Sequence, residues 1–119
     1  MKIGEFITNL NTTKDTVRHY EKLHLLSPKQ DGTYKEYSEK EVMDFQAVTD
    51  MKEMGMTLKD IQLIFQMKQS LGCRSPELIK SVKAQLKEHL ASIIDEEQQL
   101  HKRRINLEET IKELQQIQV

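Results

Sequence analysis

Lys14, Asp15, Arg18, His19 and Lys22, within the stretch Asn11 to Leu26, point mainly away from the apolar positions of the helix that stretch can form and give it a polar, partly basic side. Cations displayed in this way bind anions, and an arginine among them can clamp a phosphate or the edge of a base. Val17 and Tyr20, with Leu23 next in the same series, fall on another face. One side therefore packs and the other is free to meet a partner. Thr12 or Thr13 can accept a hydrogen bond from the unpaired N–H groups of a first helical turn, so the helix is expected to begin there.

Several elements must hold this helix in place. Residues 3 to 9 read as a short helix, because Ile3, Phe6, Ile7 and Leu10 form an apolar stripe that can buttress the second one. Asn9 to Thr13 is polar and poor in helix formers, and Asn11 tolerates the positive φ that a tight break requires. The second helix is expected to end near Leu23, with His24 either left-handed or simply a helix-end residue. Two helices across such a break make a helix-turn-helix, whose second helix enters a DNA major groove. Ser27 to Thr33 then reads as a loop with a turn at Asp31-Gly32, and Tyr34 to Tyr37 as a short strand, together a hairpin wing. Tyr34 and Lys35 can reach phosphates from a wing; core packing is the alternative for Tyr34 and the favoured reading for Tyr37. Ser38 to Glu41 has the capping-box form S-x-x-E, opening a helix to about Met54 with Val42, Phe45, Val48 and Thr49 inward. Gly55 stops that helix, Met56 tucks against it, and Thr57 caps the next, which carries Leu58, Ile61, Leu63, Ile64 and Phe65 to about Lys68. Thr57 and Lys59 stand where a helix N-terminus favours an anion.

The order of these pieces resembles the MerR family of bacterial transcription regulators. The resemblance rests on Ile3-Gly4-Glu5, Arg18-His19-Tyr20-Glu21, Leu25-Leu26, the wing segment Thr33-Tyr34-Lys35-Glu36-Tyr37, and Met54 to Ile61, collinear over roughly residues 2 to 68. His24 and Thr33 stand where the family commonly has glycine, and Lys35 where arginine is usual. Lysine keeps the charge but not the bidentate fork, so Lys35 suits a phosphate better than a base. With the residue chemistry, the resemblance implies DNA contacts from Thr13, Lys14, Thr16, Arg18, His19, Tyr20, Tyr34, Lys35, Thr57 and Lys59. The expected fold is mainly α, a winged helix-turn-helix over residues 1–70 followed by a long dimerisation helix. The implied partners are a near-palindromic site in double-stranded DNA, a second copy of the chain in an antiparallel coiled coil, and RNA polymerase at a promoter whose overlong spacer the dimer distorts.

The segment Gln69 to Ser75 marks the domain boundary, with residues 71–75 as a hinge, and Ser75-Pro76 is a strong helix opening. Residues 76–119 contain no further Gly or Pro. A helix over residues 76 to 117 would be a rod on the order of 60 Å long. Ile79, Leu86, Ile93, Leu100, Leu107 and Leu114 recur every seven residues, the period of a coiled-coil seam, and are the expected dimerisation residues. The second seam position is mixed, with His89, Glu96, Arg103 and Thr110 where apolar residues are usual.

At 119 residues, the chain has room for one small domain and this appended element. No apolar run approaches the roughly 20 residues that span a bilayer, so a cytoplasmic protein without membrane contact is expected. The charge balance is a warning: residues 1–73 hold ten Lys and Arg against eleven Asp and Glu, so any DNA affinity must come from local placement. Within residues 14–35 the balance turns to five Lys and Arg against three Asp and Glu. The net acidic head supports a second reading, a coiled-coil interaction module with a winged-helix head that does not read DNA. No phosphate loop, paired-cysteine motif, H-E-x-x-H or nucleophile elbow points to an enzyme, and no cofactor or metal is expected. The single cysteine, Cys73, cannot form an internal disulfide and is either a small apolar side chain filling the hinge or a thiol that senses an electrophile or oxidant. His89 and His101 read as solvated or seam-edge residues in preference to ligands.

Overall fold

The computed structural model describes residues 1–117 and contains five helices and one hairpin: α1 (Ile3–Asn9), α2 (Lys14–Lys22), β1 (Lys29–Asp31), β2 (Tyr34–Glu36), α3 (Glu39–Glu53), α4 (Leu58–Leu71) and α5 (Pro76–Gln115). By its contacts the chain divides into two units, Met1–Leu78 and the remainder from Ile79.

In the first unit, α1 places Phe6 fully inside, stacked on Tyr37 with ring centroids 4.7 Å apart and edge-on to Phe45 at 6.0 Å. Tyr20 joins the same cluster, 5.6 Å from Phe45. Val17, Leu25, Leu26, Val48, Met56, Ile61 and Ile64 complete the core around them. Arranged edge-on or offset, such rings add attraction beyond the area they bury. The break between α1 and α2 turns on Asn11 at φ 50°, as its polar side chain suggested, and the Thr12 N–H donates back to the Ile7 carbonyl at 3.0 Å. His24 at φ 60° closes α2 in the left-handed region, while the side chain of Gln62 donates to the Leu23 carbonyl at 3.1 Å and fastens that end to α4.

The wing differs from the expected loop. Lys29–Asp31 is itself a strand, paired antiparallel with β2 in the register Lys29–Glu36, Gln30–Lys35 and Asp31–Tyr34. The turn is thus the two residues Gly32 and Thr33, with Gly32 at φ 61°, where a glycine relieves the clash of a β-carbon. Every residue of both strands is exposed, so no apolar alternation announced the first strand.

Glu41 opens α3 by accepting from the Ser38 N–H at 2.9 Å and the Ser38 hydroxyl at 2.5 Å. Thr57 caps α4 by accepting from the Asp60 N–H at 3.1 Å, and Gly55 at φ 84° turns the chain between the two helices. Of the apolar residues this helix carries, Leu63 is exposed, and Ile61 and Ile64 are the buried ones. Asp44 is buried between Lys40 and Lys68, each at 3.3 Å.

Ser75 caps α5 by accepting from the Leu78 N–H at 3.1 Å. The helix ends at Gln115, two residues short of the expected end; Gln116 and Ile117 form a turn, and residues 118–119 of the expected helix lie outside the described residues. Ile79, Leu90, Leu100, Leu107, Ile111 and Leu114 are exposed along it. No helix among the described residues is long and apolar enough to cross a membrane.

Candidate nucleic-acid interface

Four positions of α2 project cations or an imidazole outward: Lys14, Arg18, His19 and Lys22 are all exposed, because the packing face of this helix is satisfied by Val17 and Tyr20. The N-terminus of α2 is held by Thr13, which accepts from the Thr16 N–H at 3.2 Å, and the two threonine hydroxyls lie 2.8 Å apart. Both threonines thus build the helix start; Thr13 is exposed and Thr16 half-buried.

The wing comes against this helix. Lys2, Lys14, Arg18, Gln30, Thr33, Tyr34, Lys35 and Tyr37, with Ile3, line a cleft of about 270 Å³. Helix cations and wing residues, separated in sequence, therefore share one concave surface. Lys2 lies over the Tyr34 ring, 4.0 Å from its centroid, which holds the ring beside the cleft. Glu21, on the last turn of α2, ties the wing down: its carboxylate accepts from Lys35 Nζ at 2.8 Å and from the Tyr37 hydroxyl at 3.1 Å. Burial first, and then the charge and hydrogen bond of Glu21, push the Tyr37 phenol up to about 12.

Tyr20 requires correction as a DNA contact. Its ring is buried against Phe45 and its hydroxyl accepts from Lys52 Nζ at 3.4 Å, so α2 presents its neighbours while Tyr20 anchors it. Tyr37 is buried, as favoured, and Tyr34 is exposed, which removes its core alternative. Thr57 and Lys59 are exposed at the start of α4 and do not line the cleft. The sequence reading missed Lys2, which belongs to no helical series, and the tie made by Glu21. The family-like Arg-His-Tyr-Glu segment signalled the second only as a motif.

Cys73 is exposed, which overturns its reading as a packing residue. It borders a hollow of about 150 Å³ with His24, Lys40, Asp44 and Lys68 among the other lining residues. Among the described residues, no three His, Cys, Asp or Glu side chains stand close enough together to hold a metal ion.

A basic helix across a tight break, flanked by a hairpin wing, defines a winged helix-turn-helix protein. Residues 1–68 match the family model described as the MerR HTH family regulatory protein, and the chain belongs to that family. Over 63 residues it is 35% identical to the multidrug-efflux transporter 2 regulator of Bacillus subtilis (strain 168); the match takes in 51% of this chain but 23% of that protein. The fold is similar to the N-terminal part of MtaN, the Bacillus subtilis multidrug transporter activator, with TM-score 0.73 and 18% identity over 93% of this chain and 97% of that one. It is also similar to the transcription regulator PbrR691 of Ralstonia metallidurans CH34, solved with lead(II), with TM-score 0.74 and 23% identity over 94% and 85%.

Proposed function

We propose that this chain is a homodimeric transcription regulator that binds a near-palindromic promoter site in double-stranded DNA and acts by distorting it for RNA polymerase. The observation that carries the DNA contact is the cleft where Lys14 and Arg18 of α2 meet Lys2, Tyr34 and Lys35. An α-helix fits the major groove, and a wing beside it reaches the flanking backbone. Arg18 takes a phosphate or base edge, Lys14 and His19 adjust the fit, Thr13 and Thr16 set the helix start against the duplex, and Tyr34 and Lys35 follow the backbone. Thr57 and Lys59, outside the cleft, offer a separate phosphate contact at a helix N-terminus.

In the domain division that goes with this reading, residues 1–70 bind DNA, 71–75 form the hinge and 76–119 dimerise. The seam is Ile79, Leu86, Ile93, Leu100, Leu107 and Leu114. Cys73, exposed ahead of α5, is the proposed point of attack for an electrophile or oxidant. Membership of a family of regulators counts against both an enzyme and an interaction module that ignores DNA.

The test of DNA recognition is Arg18→Ala, compared with wild type on fragments selected from genomic DNA. Binding should weaken, and the dependence of log affinity on log salt should become shallower by about 0.9 for one lost phosphate contact. A folded variant with unchanged affinity and salt slope removes Arg18 from the interface.

A further inference from the structure

We infer that Asp15 is the residue of α2 that selects sequence, its carboxylate accepting a hydrogen bond from the exocyclic amino group of a cytosine in each half of the DNA site. The inference rests on the DNA reading above and deepens it, from contact with a duplex to the base that is chosen. Direction on the helix comes first. Successive residues of an α-helix are about 100° apart around its axis. The packing face of α2 is Val17 and Tyr20, both buried, so the direction midway between them points into the core. Asp15 and Lys22 stand about 170° round from that direction, Arg18 and His19 about 130°, and Lys14 about 90°. All five are exposed. Lys14 and Arg18 line the cleft on the side of the wing, and Asp15 lies outside it. Asp15 is thus the most outward residue of the first turn, the end whose side chains meet base edges when a recognition helix lies in the major groove.

A carboxylate at the leading point of a surface that meets phosphates needs a partner of a different kind. Arg18 and His19 follow Asp15 by three and four residues, yet Asp15 makes no ion pair among the described residues. A phosphate repels it, and so do the acceptors of guanine and thymine. The donors in the major groove are cytosine N4 and adenine N6. Adenine sets its N7 acceptor beside N6, whereas cytosine offers its amino group with no acceptor of its own alongside, which suits a side chain that only accepts. A negative residue in the first turn also favours the helix dipole. That contribution is to stability and is indifferent to base sequence, so the two roles are separated by measurement. In a near-palindromic site the contact recurs by symmetry, giving one such cytosine in each half.

The test begins with selection of randomised duplexes on the full wild-type chain. Each base pair of the selected half-site is then replaced in turn, and affinity is measured by fluorescence anisotropy at fixed salt. Conversion of one C·G pair to T·A should cost wild type roughly tenfold or more. The same conversion should cost Asp15→Ala less than threefold. Asp15→Asn, whose carboxamide can accept from N6 and donate to N7, should move the preference at that position to adenine. Variants that melt at lower temperature yet keep the wild-type preference at every position would make Asp15 a helix-dipole residue and overturn the inference. A wild-type site with no cytosine whose replacement weakens binding tenfold would overturn it without recourse to any variant. A wild-type chain that enriches no sequence, and binds unrelated duplexes as tightly as selected ones, would instead refute the reading of the chain as a sequence-specific regulator.

Discussion

Glu21→Ala should separate the wing from the recognition helix, and the structure gives the scale of the effect. The Glu21 carboxylate is the acceptor for the Tyr37 hydroxyl and the counter-ion of Lys35. Tyr37 is 1% exposed, so its hydroxyl would lose its partner away from water, at a cost of about 1–3 kcal/mol. The Lys35 ion pair adds little, since the lysine is half exposed and solvent-screened pairs contribute about 0–1 kcal/mol. A loss near 2 kcal/mol lowers Tm by roughly 8–16 °C for a unit of this size. Glu21→Gln retains an acceptor for the phenol and should lose less. Alkaline titration gives a second readout. The folded Tyr37 phenol titrates at about 12 against about 10 for the unfolded chain, so its contribution to stability is complete below pH 10 and is lost as pH rises toward 12. Without Glu21, burial and the charge of Glu41 still raise it, but with the charge and hydrogen bond of Glu21 gone the phenol should ionise at lower pH and the alkaline loss should be shallower. Thermal melts followed by circular dichroism and ultraviolet titration of the tyrosines measure both. A Glu21→Ala protein that melts with wild type and shows the same tyrosine titration would refute the tie.

Lys2→Ala should reduce DNA affinity and the salt slope in the same direction as Arg18→Ala, measured by fluorescence anisotropy at several salt concentrations; an unchanged slope would confine Lys2 to its contact with Tyr34. Phe6→Ala empties the centre of the aromatic cluster and should cost about 3–5 kcal/mol in urea unfolding. Burial raises the Glu41 carboxyl, but the hydrogen bonds from Ser38 outweigh it and hold the group below its ordinary value. The stability this gives is present above the unfolded carboxylate pKa and is lost as pH falls through the lower folded one. Ser38→Ala should therefore cost about 1 kcal/mol at neutral pH and progressively less in acid, read as melting temperature against pH. Cys73→Ser should abolish any change in promoter output caused by aldehydes, quinones or peroxide; equal responses with and without the thiol remove Cys73 as the sensor.

The helices were legible because local chemistry and apolar spacing agree. Thr13, Ser38, Thr57 and Ser75 each begin a helix where the sequence placed a cap, and Asn11 and His24 take the positive φ their positions demanded. Strand β1 was hidden because a hairpin exposed on both sides has no buried face to imprint an alternation on Lys29-Gln30-Asp31. Tyr20 and Leu63 mark the limit of the family motif and of composition: a motif tyrosine does not say which of its neighbours reaches solvent, and a leucine on a three-turn stripe can still fall on its rim. Lys2 enters the cleft through the fold, since the packing of Phe6 on Tyr37 and the hydrogen bonds between the Met1 and Tyr37 backbones bring the start of the chain beside the wing.

That placement also resolves how a head with more acidic than basic residues can present a cationic surface. Acids near the wing and at helix starts are engaged in the architecture. Glu41 and Asp60 accept from backbone N–H groups at helix starts, Asp44 is buried between Lys40 and Lys68, and Glu21 is shared by Lys35 and the Tyr37 phenol. Lys40 and Lys68 are correspondingly committed to Asp44 rather than to a ligand. Lys2, Lys14 and Arg18 are left lining the cleft, none of them ion-paired to a carboxylate among the described residues. Net charge sets the long-range field, which falls off within about 10 Å at 0.1 M salt, whereas contact with a phosphate depends on the few charges inside that distance. Association should therefore lack strong long-range steering while the bound state remains salt-sensitive. Stopped-flow binding would show this as an on-rate that changes little with salt and an off-rate that climbs with it; the reverse pattern would mean that the acidic groups are not neutralised where the structure pairs them.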